Sequence, residues 1–293
     1  MMEDLRKRLA AGIVDHRAID EHVGEMTHLS ATRINTWSNC SMLYYLSYVL
    51  GLKRRPSVAM LRGSAVHESV ELNANSRIQT GEPAPRDAVQ DAAAEGFTRR
   101  AEEEDPELRD GETVGGAKDS VVALASLHYD DVAPNSIPLH SEEQFLMEWD
   151  DDDIDPPIKG FVDLVTRQGK DVVVEEVKTA VGSRTDRGKY MNPLQVSIYL
   201  MAFRELMGAT RAQVNVLAEK HLKSGVRHEV VVHELDASNL NVALVTGTAR
   251  QMMNSLRLHV VGPANPNYYL CHKKWCGYHQ SNGGPCPYGR TAQ

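Results

Sequence analysis

The pattern of apolar and polar positions changes character partway along the chain. Before residue 132 its spacing reads as helices. A helical leader covers 1–24, and Ser30 or Thr32 caps a helix running to about Leu50. Gly51 and Pro56 punctuate the chain before a helix from Val58 to Ile78. The loop Gly81-Glu-Pro-Ala-Pro follows, then helices near 86–104 and 117–131. From 139 onward, runs rich in β-branched residues predict strands at 139–148, 158–166 and 171–178. Asn192-Pro193 opens a helix to about Met207, with Pro in the first turn where it is tolerated. Strands near 211–219 and 226–234 and a helix near 236–258 complete the pattern. Residues 259–293, rich in Gly, Pro, Cys and aromatics, read as an irregular lobe.

The order of helices, three strands, a helix and two strands predicts an α/β fold with a mixed sheet flanked by helices. The expected organisation is one integrated domain. Residues 1–132 form a helical region carrying Cys40 and His67, 133–258 the α/β core, and 259–293 a cysteine-rich lobe packing back on the first region. No internal repeat or long low-complexity tract interrupts it.

The segment 160–180 concentrates the chemistry. The run Val172-Val173-Val174 suggests a strand covered on both faces. Arg167-Gln168-Gly169-Lys170 is the expected turn, centred on Gln168-Gly169, which sets Asp163 opposite Val174. Side chains alternate along strands, so Asp163, Glu176 and Lys178 share one face and Glu175 points away. A slip of one residue would separate them. Two carboxylates with waters and a phosphate oxygen complete an octahedron around Mg²⁺ or Mn²⁺. Such an ion polarises a phosphoryl group and lowers the pKa of bound water. Lys178 is placed to orient the attacking water or to stabilise charge developing on the phosphate. The same residues also suit a salt-bridged strand pair without metal.

Two further pairs lie at helical spacing. Gly63 and His67 share a face, where Gly permits close approach of backbone and His either offers a ring nitrogen to a metal or serves a structural role in the helix. Gln195 and Tyr199 place an amide and a phenol together, either for a phosphate or base or as core lining.

Taken in order, Gly63-x-x-x-His67, Gly160-x-x-Asp163, Glu176-x-Lys178 and Gln195-x-x-x-Tyr199 resemble the RecB-like branch of the PD-(D/E)XK nuclease superfamily. Leu29-Ser-Ala-Thr-Arg-Ile-Asn and the aromatic helix after it extend the likeness, which covers about 29–205 and the tail. The resemblance implies a restriction-endonuclease-like core with His67, Asp163 and Glu176 as ligands of Mg²⁺ or Mn²⁺ and the Val177 carbonyl assisting. It implies that Lys178 is the catalytic lysine, and that Gln195 and Tyr199 organise the site or touch substrate.

The chain has four cysteines, Cys40, Cys271, Cys276 and Cys286. Four thiolates suit a [4Fe–4S] cluster or tetrahedral Zn²⁺, and Cys286-Pro287 favours the cluster. One early and three late cysteines resemble the iron–sulfur branch of the RecB-like nucleases, which includes CRISPR-adaptation exonucleases and AddB-type nuclease domains. The Cys-x4-Cys-x9-Cys spacing is wider than usual there, and His272 and His279 keep zinc or a mixed-ligand site open.

Charge modifies this picture. The chain of 293 residues carries a net charge of −8. Acids crowd into 102–112 and 148–155, the Asp150–Asp153 run being read as a solvated loop, while 181–228 holds Arg184, Arg187, Lys189, Arg204, Arg211, Lys220, Lys223 and Arg227. That local basic excess can bind phosphates within an acidic protein. No stretch approaches the ~18 apolar residues of a membrane span, and the N-terminus lacks the apolar core of a secretory signal, so cytoplasm is the expected compartment. Trp37, Tyr44, Tyr45 and Tyr48 follow helical spacing and serve either core packing or base stacking. No phosphate-binding Gly-rich loop marks an ATP-driven helicase. The resemblance implies a metal-dependent exonuclease acting on DNA ends, single-stranded by preference, in recombination, replication or repair. A phage or mobile-element source and a partner helicase fit it. Spacer processing in CRISPR adaptation and a catalytically silent, cluster-bearing DNA-binding subunit are the alternatives.

Overall fold

The computed structural model of the chain describes residues 2–108, 111–151, 153–181, 193–265, 267–268, 270–273 and 275–288. Helices α1 (Met2–Ala10) and α2 (His16–Gly24) make up the leader. Asp15 caps α2 by accepting from the Ala18 N–H. Ser30, rather than Thr32, caps α3 (Ala31–Asn39) by accepting from the Arg33 N–H.

The single helix expected to Leu50 breaks at Cys40. Cys40 is extended, ends α3, and caps α4 (Ser41–Tyr44) through its sulfur, which accepts from the Leu43 N–H at 3.4 Å. A π turn over Tyr45–Val49 follows. No Gly or Pro marks that break. Asn39 instead donates to both the backbone carbonyl and the side chain of Asn35, the local competition by which polar side chains interrupt helices.

Next come α5 (Val58–Thr80), α6 (Arg86–Glu104) and α7 (Val114–Leu127). Ser57 caps α5, and Gly81 at φ +80° closes it with the left-handed residue typical of helix ends. The strands are β1 (Ile137–Met147), β2 (Ile158–Gln168), β3 (Asp171–Val181), β4 (Arg211–Leu222) and β5 (Gly225–Asp236), with α8 (Pro193–Met207) between β3 and β4 and α9 (Val242–Arg257) after β5. The sheet runs β1-β2-β3-β4-β5. The pairs β2–β3 and β4–β5 are antiparallel, and β3–β4 is parallel, as a crossover containing a helix requires. This is the mixed α/β architecture that the sequence predicts.

The chain divides into two compact units. The first comprises Met1–Arg54, Leu146–Gly160 and Val242–Gln293. Ile19, Ile34, Tyr44, Tyr45, Met252 and Leu256 are buried there, so Tyr44 and Tyr45 are core residues and not a stacking platform. The tail is tied to early residues of the same unit. The Tyr278 hydroxyl donates to the Leu52 carbonyl, Arg54 lies over the Tyr278 ring, and the Tyr288 hydroxyl donates to the Leu9 carbonyl. Asp151, in the acidic run read as a solvated loop, pairs with Arg250.

The second unit comprises Arg55–Phe145 and Phe161–Asn241. Leu61, Val66 and Val70 of α5, Phe97 of α6 and Leu124 of α7 join Leu164, Val177 and Leu217 of the sheet in one buried cluster. Tyr199 and Phe203 of α8 pack edge-on against Phe145 of β1 with ring centroids 5.8 and 5.9 Å apart. The strand β3 is buried on both alternating sets of side chains from Val173 to Val177, which explains its uninterrupted valines. Among the described residues no helix is long and apolar enough to cross a membrane.

Candidate active site

The hairpin β2–β3 closes through Gly169-Lys170, with Gln168 paired to Asp171 and Val165 to Val174. Gly169 sits at φ +63°, as the first position of a tight two-residue turn demands. The expected turn lay one residue earlier, and the observed register is shifted by two. Gln168 stays in the ladder because its amide donates to Glu175 and its oxygen accepts from Arg211. A shift of two preserves which face each side chain takes. Continued one step past Leu164–Glu175, the register sets Asp163 opposite Glu176.

Beyond Leu164–Glu175 the side chains take over the backbone groups. The Val177 N–H donates to Asp163 Oδ2 at 2.6 Å, and the Val177 carbonyl meets His67 Nε2 at 2.8 Å. The other ring nitrogen, Nδ1, lies 3.2 Å from Asp163 Oδ1. Both partners of His67 are acceptors, so the ring donates from both nitrogens as an imidazolium, which must give up a proton before a nitrogen can bind a cation. Burial opposes that charge, but Asp163 and then Glu176 outweigh it and push the imidazole up to about 9. Asp163 is held below its usual range: burial works against its charge, and His67, Lys178 and the Val177 N–H prevail.

Glu176 is 5% exposed. Burial and the Asp163 charge raise its pKa to about 6, against the pull of Lys178. The Lys178 ammonium pairs with Glu176 Oε1, and Gln195 Nε2 donates to the same oxygen at 3.1 Å and to the Tyr199 hydroxyl at 2.8 Å. Despite burial, Glu176 and Asp163 hold Lys178 above its ordinary value. Burial first, then Glu176, raises Tyr199. The structure therefore brings His67, Asp163, Glu176, the Val177 carbonyl, Lys178, Gln195 and Tyr199 into one connected network. The side chains of His67 and Asp163 remain 26% and 14% exposed, so the network opens to solvent.

Sequence reasoning missed Glu142 of β1. Donor atoms of His67, Glu142 and Asp163 all lie within 4.8 Å of one another. An acid pair inside a predicted strand was the available signal, but nothing in the pattern says which acid turns inward. Gly63 needs no special closeness: a Cβ there would meet Thr179 Oγ1 at an ordinary 3.7 Å. Glu175 points away, as expected, and is 1% exposed. It accepts from Thr166 Oγ1, Gln168 Nε2 and Asn215 Nδ2.

The carboxylates, imidazole and backbone carbonyl gathered here match the donors that Mg²⁺ or Mn²⁺ takes. The four cysteines, all free, form a separate group within the first unit. Burial raises the Cys276 thiol, which also feels Cys40 and Cys271. Burial pushes Cys286 up to about 11, with Cys276, Cys40 and Cys271 adding to it. The basic stretch is partly neutralised, Arg211 by Glu234 and Lys220 by Glu229. Arg184, Arg187 and Lys189 lie outside the described residues.

A family model described as the PD-(D/E)XK nuclease superfamily matches residues 28–281. A search of the curated proteins finds no match. Among solved structures, the crystal structure of SSO0001 is similar at 13% identity and a TM-score of 0.33, covering 83% of this chain and 82% of that one.

Proposed function

Because the chain belongs to the PD-(D/E)XK nuclease superfamily, we propose that it is a Mg²⁺- or Mn²⁺-dependent exonuclease that hydrolyses phosphodiester bonds at single-stranded DNA ends during recombination, replication or repair. The observation that carries this reading is the network of Asp163, Glu176, Lys178 and His67 at the splayed end of one hairpin. Asp163, Glu176, His67 and the Val177 carbonyl would hold the cation, which when bound polarises the phosphoryl oxygen. Lys178 orients the attacking water and stabilises the charge that develops on the phosphate. Gln195, bonded to both Glu176 and Tyr199, fixes the Glu176 carboxylate in position. Burial of the Glu176 carboxylate strengthens its interactions by excluding water.

The test is degradation of end-labelled single-stranded DNA in Mn²⁺. Glu176→Ala and Lys178→Ala are each expected to lose at least ~100-fold in rate. Unchanged rates would show the active site to be elsewhere.

The four free thiols, three of them buried, support a [4Fe–4S] cluster that joins the tail to the helix break at Cys40. A four-thiolate ligand set is what such a cluster requires. Anaerobically purified protein should show broad visible absorbance and carry iron. A colourless preparation containing stoichiometric zinc would replace the cluster with the metal that shares its ligands.

A further inference from the structure

We propose that Glu142 is a ligand of the same divalent cation, so that the ion is held from β1 as well as from α5, β2 and β3. This rests on reading the site as a metal-dependent nuclease centre. Ligand atoms about 2.2 Å from one ion lie no more than about 4.4 Å apart. The Glu142, His67 and Asp163 donors already approach that spacing, within 4.8 Å of one another. They come from three separate elements, so their meeting is a property of the fold and not of local sequence.

The backbone of Glu142 supports the assignment. It lies at φ +49°, in the left-handed region, inside a strand. That conformation is unfavourable for a non-glycine residue and re-aims its side chain as bulge positions do. The consequence is that Glu142 turns toward Asp163, while its neighbour Glu143 is engaged by His140 at 3.1 Å. Glu142 thereby shares with Asp163 and His67 a pocket of donor atoms in which a cation would relieve the repulsion of two carboxylates.

The ligand count gives a second reason. Glu176 Oε1 already accepts from Lys178 and Gln195, which leaves its other oxygen for the ion. Mg²⁺ and Mn²⁺ prefer six donors. His67, Asp163, Glu176 and the Val177 carbonyl supply four, and Glu142 supplies a fifth. One position then stays open for water or a phosphate oxygen.

Mn²⁺ binding to the full-length protein, measured by calorimetry and by loss of the free-ion paramagnetic signal, tests this without recourse to activity. Glu142→Gln is expected to weaken Mn²⁺ at least ~10-fold and to shrink the rise in Tm that Mn²⁺ produces. Glu143→Gln should bind as wild type. If Glu142→Gln binds Mn²⁺ normally while Asp163→Asn does not, Glu142 is no ligand, although the site is still a metal centre. If Asp163→Asn also binds normally, the metal centre itself is misplaced and the proposal falls with it. Should Glu142→Gln fail to fold, Glu142→Asp reads the same titration. Drawing the carboxylate back by one methylene is expected to weaken Mn²⁺ several-fold, and unchanged affinity there overturns the proposal.

Discussion

Glu175 and Glu176 are adjacent acids with opposite fates. Strand alternation sends Glu176 to Lys178 and Gln195, and Glu175 to Thr166, Gln168 and Asn215. Glu175 is a structural hub, because three donors from two neighbouring strands converge on one buried carboxylate. Glu175→Ala strands those donors and should cost roughly 3 kcal/mol in urea unfolding, whereas Glu175→Gln, which keeps an acceptor, should cost less. Period-two alternation made Asp163, Glu176 and Lys178 readable from sequence even with the turn misplaced by one residue. Glu142 was unreadable for the complementary reason. A left-handed residue breaks the alternation, and nothing in Ser-Glu-Glu-Gln announces which residue will adopt it.

Elements were legible where a helix or strand carried its own stop and start signals. Ser57 and Gly81 bracket α5, and Pro193 opens α8. The break at Cys40 was not legible, since it depends on Asn39 reaching back to Asn35. Ser30 donates no apolar surface to α3, only a cap, so Ser30→Ala should lower stability by about 1 kcal/mol in denaturant unfolding. The tail is more constrained than its irregular composition suggests. A Cβ at Gly284 would collide with the Tyr278 backbone, and Arg6 donates to the Gly284 carbonyl at 2.8 Å. Gly284→Ala should therefore cost roughly 1–3 kcal/mol and expose residues 271–288 to limited proteolysis before the rest of the chain is cut.

For the molecule as a whole, the net charge of −8 says less than where charge is buried. His128, 3% exposed, packs in the second unit with no hydrogen-bond partner for Nε2. Burial, and then the charge on His67, pulls its pKa from 6.5 down to about 4. In that window the unfolded chain binds the proton that the folded chain refuses. The contribution of His128 to stability is thus complete above pH 6.5 and declines as pH falls toward 4, by on the order of 3 kcal/mol. His128→Leu should flatten this part of the profile when unfolding at pH 7 and pH 5 is compared.

The first compact unit is written in three separate stretches of chain, Met1–Arg54, Leu146–Gly160 and Val242–Gln293. Synthesis proceeds from the N-terminal side, so the first of these stretches must wait for the third. Contacts between such distant residues form slowly. Cys40 emerges well before Cys271, Cys276 and Cys286 and meets them only after the long intervening stretch has been made. The thiol site is therefore a late checkpoint: a nascent chain halted before residue 286 lacks it, and a cofactor held by all four cysteines must be delivered after that stretch is made.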